Sequence, residues 1–233
     1  MTKLAVVTRS DSNIDNISKE THPLLKKYAE KCNADFIVLS GDPPIWTHDH
    51  RPHYRIMDGY DLLNTYDRVL FLDSDMIVTD TCPNLFDVVP ENKIGSIYED
   101  KGSRKSDRLK RIQNIQSAWG DVGWKENYTN AGTFLVSRMH KDIFSPHEGK
   151  YWTDWGSADV HLSYMIHKNN FNVYELPFQY NHMTMFSEDW NENANRFDSY
   201  IIHYGGAGVF DSDINSREEQ IKRDKKKLFS MDR

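Results

Sequence analysis

The chain reads as an α/β domain with a mostly parallel central sheet flanked by helices, on three observations. Val69-Leu70-Phe71-Leu72 is an unbroken apolar run of strand length, the pattern of a strand covered on both faces. Leu4 to Thr8 (LAVVT) and Phe36 to Leu39 are two further apolar runs with a helical segment between them, so a β-α-β unit is complete by residue 40. The first run ends at once in Asp73-Ser74-Asp75. Carboxylates at i and i+2 of an extended chain point to one side, just past a buried strand, where open α/β sheets bind ligands.

Two like charges held that close repel, and a divalent cation removes the penalty. A hard cation with two protein oxygens and open positions suits a diphosphate. The plainer reading is a strand that ends in an acidic turn, and Asp-x-Asp by itself leaves both open.

Composition narrows the classes. The 233 residues suit one domain. A net charge of −6 argues against general binding to a nucleic-acid backbone. Cys32 and Cys82 are the only cysteines, too few for a disulfide framework or a thiolate zinc site, so a reducing, cytoplasmic setting is expected. Met1 leads directly into a strand with no leader pattern, and no apolar run reaches the ~20 residues of a membrane span. Residues 1–210 are expected to form the domain, and 211–233 a charged C-terminal helix or tail.

Taken in order, the strand Leu4 to Thr8 runs into Arg9-Ser10-Asp11-Ser12, a polar turn able to hold a nucleotide or simply to turn the chain. Ile17, Leu24, Leu25, Tyr28, Ala29 and Cys32 share a helical face, and Pro23 suits an early turn, which places the regular start near Thr21. The loop from Gly41 to Pro52, with Trp46, His48 and His50 and with His53 just beyond it, fits a solvated or substrate-touching lid better than a metal cluster. Ile56, Met57, Tyr60 and Leu63 then have helical spacing. Arg55 stands at that helix start, where a cation is unfavourable unless it is exposed or an anion compensates it.

Lys93 to Tyr98 reads as a strand, and Arg104 to Trp119 as a basic helix with Leu109, Ile112 and Ile115 on its apolar face; its basic face is either solvated or meets an anionic acceptor. Thr129 to Arg138 contains a strand introduced by Asn130-Ala131-Gly132, where glycine permits close approach to a ligand. Tyr151 to Asp159 (YWTDWGSAD) mixes aromatics and acids, the composition of a sugar pocket or of a packed aromatic corner. A helix from Ala158 to Lys168 and short strands at Val173 to Leu176 and Tyr200 to His203 follow. The last runs into His203-Tyr204-Gly205-Gly206, and Arg217 to Lys227 reads as a solvated helix, with a membrane-surface contact as the lesser alternative.

From about Leu4 to Gly208 this order resembles GT-A-fold glycosyltransferases, a Rossmann-like nucleotide-diphospho-sugar transferase fold. It is most similar to the glycogenin and bacterial lipopolysaccharide galactosyltransferase group, with the galactomannan galactosyltransferases a near relative. The most specific stretch runs from Tyr54-Arg55-Ile56 through Asp73-Ser74-Asp75 to Ile77-Val78. The resemblance implies a hexose moved from a nucleoside-diphosphate sugar, uridine favoured, to a hydroxyl of a carbohydrate acceptor, with retention. It implies that Asp73, Asp75 and His203 bind Mn²⁺, with Mg²⁺ the alternative. It places Thr8, Arg9 and Ser74 at the nucleotide and Arg55 at the donor sugar or diphosphate. Asn130, Gly132 and Gly206 would line the donor pocket, with Asp159 beside the donor sugar.

Two positions depart from the family pattern. Ala158-Asp159 stands where Asp-Gln is usual, and no lysine follows His203-Tyr204-Gly205-Gly206. An acid in place of the amide admits an inverting reaction with Asp159 or Asp154 as base. At a helix N-terminus, however, Asp159 is expected to stay ionised with a low pKa, which favours retention. A sugar-nucleotide pyrophosphorylase would carry a glycine- and arginine/lysine-rich phosphate loop after the first strand, and Thr8-Arg9-Ser10-Asp11 has no glycine. A non-catalytic carbohydrate-binding module is the third reading, separated by the absence of nucleotide-sugar turnover.

Overall fold

The computed structural model describes residues 2–41, 52–184, 191 and 193–230. Trp46, His48 and His50 lie outside the described residues. The main sheet takes β1 (Leu4–Arg9), β2 (Asp35–Leu39), β3 (Arg68–Leu72), β5 (Ile94–Tyr98), β6 (Thr129–Ser137) and β7 (Val173–Glu175) in the order β2-β1-β3-β6-β5-β7. β1 is parallel to β2 and β3, and β5 is parallel to β7; β6 is antiparallel to both of its neighbours. A smaller sheet pairs β4 (Met76–Val78) with β9 (Ile201–His203), and β9 with β8 (His182–Met183).

The apolar run at the centre is unbroken because each face of β3 meets a core. Val69 and Phe71 pack among Tyr54, Phe134 and Phe144, while Leu70 and Leu72 pack among Leu25, Leu85 and Leu135. All four side chains are at most 1% exposed. Helices α2 (Gly59–Thr65), α3 (Leu85–Val88), α4 (Lys105–Trp119) and α5 (Ser157–Lys168) complete the flanking layers, together with α1 (Asp15–Lys31).

Three elements differ from the sequence reading. Helix α1 starts at Asp15 rather than near Thr21 and carries Pro23 in its interior. A 3₁₀ turn at Ser12–Ile14, capped by Asp11, feeds it. The apolar face of Ile17, Leu25, Tyr28 and Ala29 is buried on the sheet, and burial of that size outweighs the roughly 3 kcal/mol that an interior proline costs. The basic residues of α4 divide: Lys105 and Lys110 are exposed as expected, but two arginines are not. Arg108 and Arg111 are only 3% and 8% exposed, with Glu99 and Asp107 as their anionic partners.

The charged C-terminal segment forms α6 (Arg217–Phe229), capped by Ser216. One face of it is buried. Ile221 packs with Ile17, Ile77, Ile202 and Tyr204, and buried Asp224 takes the Arg196 guanidinium at 2.7 Å. Among the described residues no helix is long and apolar enough to cross a membrane.

Candidate functional site

The end of β3 is where the chain's chemistry gathers. β6 runs antiparallel to β3, and the Gly132 carbonyl accepts the Asp73 N–H at 3.0 Å, which brings Asn130 and Gly132 beside the carboxylates. β4 leaves Asp75 directly, and its register sets Met76 opposite His203. Asp73, Asp75 and His203 therefore each offer a ligand atom within 4.8 Å of the others. His203 Nε2 lies 3.3 Å from Asp75 and 3.6 Å from Asp73.

Hydrogen bonding fixes which way this imidazole faces. The Gly132 N–H can only donate, and it donates to Asn130 Oδ1 at 2.8 Å, so the Asn130 amide nitrogen is the group that bonds Glu99. Asn181 Nδ2 donates to the same Asn130 oxygen at 2.8 Å, which leaves Asn181 Oδ1 to accept from His203 Nδ1–H at 2.7 Å. The neutral ring thus aims its Nε2 lone pair at two carboxylates. That is unfavourable without a cation between them, and it is the arrangement in which an outer hydrogen bond orients a metal-ligating histidine. Without a metal, a proton serves instead. Burial opposes protonation of His203, but Asp75 and Asp73 outweigh it and raise its pKa.

Room for this cluster depends on Gly132. A Cβ there would stand 2.9 Å from the His203 ring and 3.1 Å from Asp73. The donor set, two carboxylates and one imidazole with a hydrogen-bonded outer layer, fits a divalent cation.

The carboxylates are not an unrelieved repulsive pair. Arg9 ion-pairs with Asp73 and donates to the His53 carbonyl at 3.1 Å; Arg217 of α6 holds Asp75 at 2.9 Å and also reaches the Gly206 carbonyl. Thr8 and Ser74 are buried and bond each other at 2.9 Å. His22 also meets the Ser74 hydroxyl at 3.1 Å, and Thr21 donates to the Ser74 carbonyl at 2.5 Å. Both residues fix the loop from beneath. Arg55 pairs with Asp58, at 2.7 Å from Nε, and with the Ser40 carbonyl at 2.5 Å, so the anion that settles its helix-start charge is three residues along.

A cavity of about 310 Å³ adjoins the cluster, lined by Arg9, Asp73, Gly132, Arg111, Trp155 and Asp159 among others. That is the low end for small-molecule pockets, about 300–1,000 Å³, and suits a monosaccharide unit. Asp159 is in the first turn of α5 and accepts the Ala131 N–H at 3.1 Å. Its expected low pKa is corrected here. Burial, then the charges of Glu99 and Asp73, lift the carboxyl to about 7, more than the Ala131 N–H and the charge of Arg9 hold it down. Asp154 is exposed, caps the Trp155 N–H at 2.7 Å, and is not among the residues that line the cavity.

The aromatic stretch divides. Trp152 is 9% exposed and packs edge-on against Trp119, whereas Trp155 is 67% exposed at the cavity's rim. Glu99, Asn181, Arg111 and Arg217 belong to the site and were not singled out from sequence. Only Glu99, an acid closing a buried strand, had a local signal.

No protein-family model matches the chain, and no curated protein does. Solved structures do match in fold. The bifunctional glycosyltransferase WbbM superposes with a TM-score of 0.68 at 15% identity over 98% of this chain, which spans half the length of that enzyme. The galactosyltransferase LgtC, solved with donor and acceptor sugar analogues, matches with a TM-score of 0.59 at 15% identity, covering 97% of this chain and 96% of that one. A glycosyltransferase involved in glycosylation of the major capsid of PBCV-1 matches at 0.56 and 15% identity, covering 95% and 99%. The fold is that of GT-A glycosyltransferases.

Proposed function

We propose that this chain is a metal-dependent glycosyltransferase that moves a hexose from a nucleoside-diphosphate sugar, a uridine diphosphate sugar by resemblance, to a hydroxyl of a carbohydrate acceptor. One observation carries the reading: an oriented imidazole lone pair and two carboxylates converge at the end of β3, beside a cavity the size of one sugar. Asp73, Asp75 and His203 would hold the cation, Mn²⁺ by donor set. When bound, such a cation compensates the charge of a leaving diphosphate.

The chain's own groups do the rest. Arg9 and Arg217, which neutralise the carboxylates in the free protein, are placed to meet diphosphate oxygens once another positive charge takes their partners. Asn130 and Gly132 border the donor sugar, and Asp159 contacts it. An acceptor hydroxyl bonds to the anomeric carbon as the bond to the diphosphate oxygen breaks. With retention, the departing phosphate oxygen takes the proton and Asp159 steadies the developing positive charge. A second reading, inversion with Asp159 as base, is favoured by its carboxyl lying near 7, where a general base works best.

The direct test is a panel of nucleotide sugars with and without Mn²⁺, read by melting temperature and turnover. A donor at a hundred times its Kd stabilises the fold by about 2.7 kcal/mol. The expected outcome is stabilisation by one donor class, only with metal, and sugar transfer from that class. No metal-dependent shift with any nucleotide sugar would overturn the proposal.

The two tryptophans give a second check. Trp152→Ala is expected to cost about 3–5 kcal/mol in a denaturant melt, because it empties a packed aromatic corner. Trp155→Ala should change stability by less than about 0.5 kcal/mol and raise acceptor KM well above any change in donor KM. An unchanged acceptor KM would remove Trp155 from the acceptor site.

A further inference from the structure

Arg111 is a buried cation at the cavity that donor chemistry does not use. It sits on the inward face of α4, lines the cavity beside Asp159, and is 8% exposed. Its guanidinium lies 4.7 Å from the Trp155 ring centre and 5.9 Å from that of Tyr128. Its polar contacts leave it short of acceptors. Nη1 donates to the Tyr128 hydroxyl at a long 3.3 Å, and Nη2 meets Asp107 at 2.9 Å. Asp107 is 42% exposed and also serves Arg108 at 2.5 Å, so one carboxylate is shared by two guanidiniums. Arg111 Nε–H is closed to solvent and has no acceptor.

A buried N–H without an acceptor is costly, and sites that carry one are improved by any ligand that supplies an oxygen there. The ring that covers Arg111 is the one that can give way. Trp155 is 67% exposed, so turning it aside sacrifices little packing. Arginine's planar fork is matched by two coplanar oxygens of a carboxylate or by a phosphate ester, and far less by a neutral hydroxyl. The place also separates acceptor from donor. Asp73 and Gly132 border the cation cluster at which a diphosphate must lie, whereas Trp155 is the exposed residue at the opening.

We propose that the acceptor is an acidic sugar, its ring laid on Trp155 and its carboxylate or phosphate group bound by Arg111. This rests on the glycosyl-transfer reading, and the test keeps the two apart by using binding without any donor. Methyl glucuronide, methyl glucoside 6-phosphate and neutral methyl glucoside are titrated against the full chain, followed by tryptophan fluorescence and by ligand-observed NMR. The expected result is binding of at least one acidic glycoside about tenfold or more tighter than the neutral one, as a charge-assisted hydrogen bond provides. Comparison of the two acids tells carboxylate from phosphate. The preference should collapse in Arg111→Gln. If that variant does not fold, Arg111→Lys decides, because it keeps the charge but removes Nε and the fork, and the preference must fall in it.

Equal binding of acidic and neutral glycosides, no measurable binding of any of the three, or a preference that survives loss of the guanidinium overturns the proposal. Nucleotide-sugar turnover without acid preference sinks this inference alone. Acid preference without turnover from any donor sinks the transferase reading instead.

Discussion

Asp75→Ala is expected to lower sugar transfer by at least about a hundredfold, the scale seen when one preorganised charge-stabilising group is lost from a transition state. The reason lies in how many groups converge on this one carboxylate. Burial works against its charge, but His203 and Arg217 outweigh burial and hold its pKa below the ordinary carboxylate range. A group whose folded pKa is depressed contributes stability above its unfolded pKa and loses it as pH falls. The substitution therefore also destabilises the metal-free protein, by about 1–3 kcal/mol, because two cations lose their anion. Addition of Mn²⁺ should raise the melting temperature of the native chain and leave the variant nearly unmoved. Full activity in Asp75→Ala, or in native protein with excess chelator, would exclude the cation site.

Much of this site was legible because its first layer lies in short sequence. Asp73 and Asp75 flank one residue at the end of an apolar run, and they do converge, although through a turn at Ser74 and Asp75 rather than along the extended chain that the i, i+2 rule assumes. His203 was carried by resemblance, and the physical link is a strand register: Met76 opposite His203, over more than a hundred residues of separation. No local pattern encodes that pairing. The outer layer is less legible still. Asn181 and Glu99 act through amide and carboxylate contacts that form only when β5, β6 and the small sheet are assembled. The basic face of α4 misleads for a related reason. Charge spacing marks a solvated helix, but the buried Glu99 beyond β5 holds Arg108 inward, and Arg111 turns in with it while pairing with Asp107 of its own helix. Pro23 marks a helix start by propensity, and tertiary burial overrode it. The antiparallel setting of β6 could not be read from a run of apolar residues, since strand direction leaves no trace in hydrophobicity.

Asp159→Asn is expected to reduce kcat by roughly 10²–10⁴-fold with little change in donor KM, whether the carboxylate steadies charge or takes a proton. The pH dependence follows from its environment. With the carboxyl raised to about 7, native kcat/KM should fall as pH drops through that region, about tenfold per unit once most of it is protonated. A cation beside Asp73 favours the charged form, so saturating metal moves this limb to lower pH, and the Asn variant loses it. Stability supplies a readout that does not depend on turnover. A carboxyl whose folded pKa lies above its unfolded value binds its proton more tightly in the native state, so stability is fully present at low pH and declines as pH rises towards the folded value. Asp159→Asn should then be more stable than the native chain at pH 8, by on the order of 1–4 kcal/mol, with the difference shrinking towards pH 4. An inactive variant that is also stabilised marks a charge kept for function at the expense of the fold. Unchanged kcat, or a variant no more stable at pH 8 than the native chain, removes Asp159 from the reaction. The anomeric configuration of the product, read by NMR against that of the donor, then assigns its role. A retained configuration leaves Asp159 as the charge that faces the sugar, and an inverted one makes it the base.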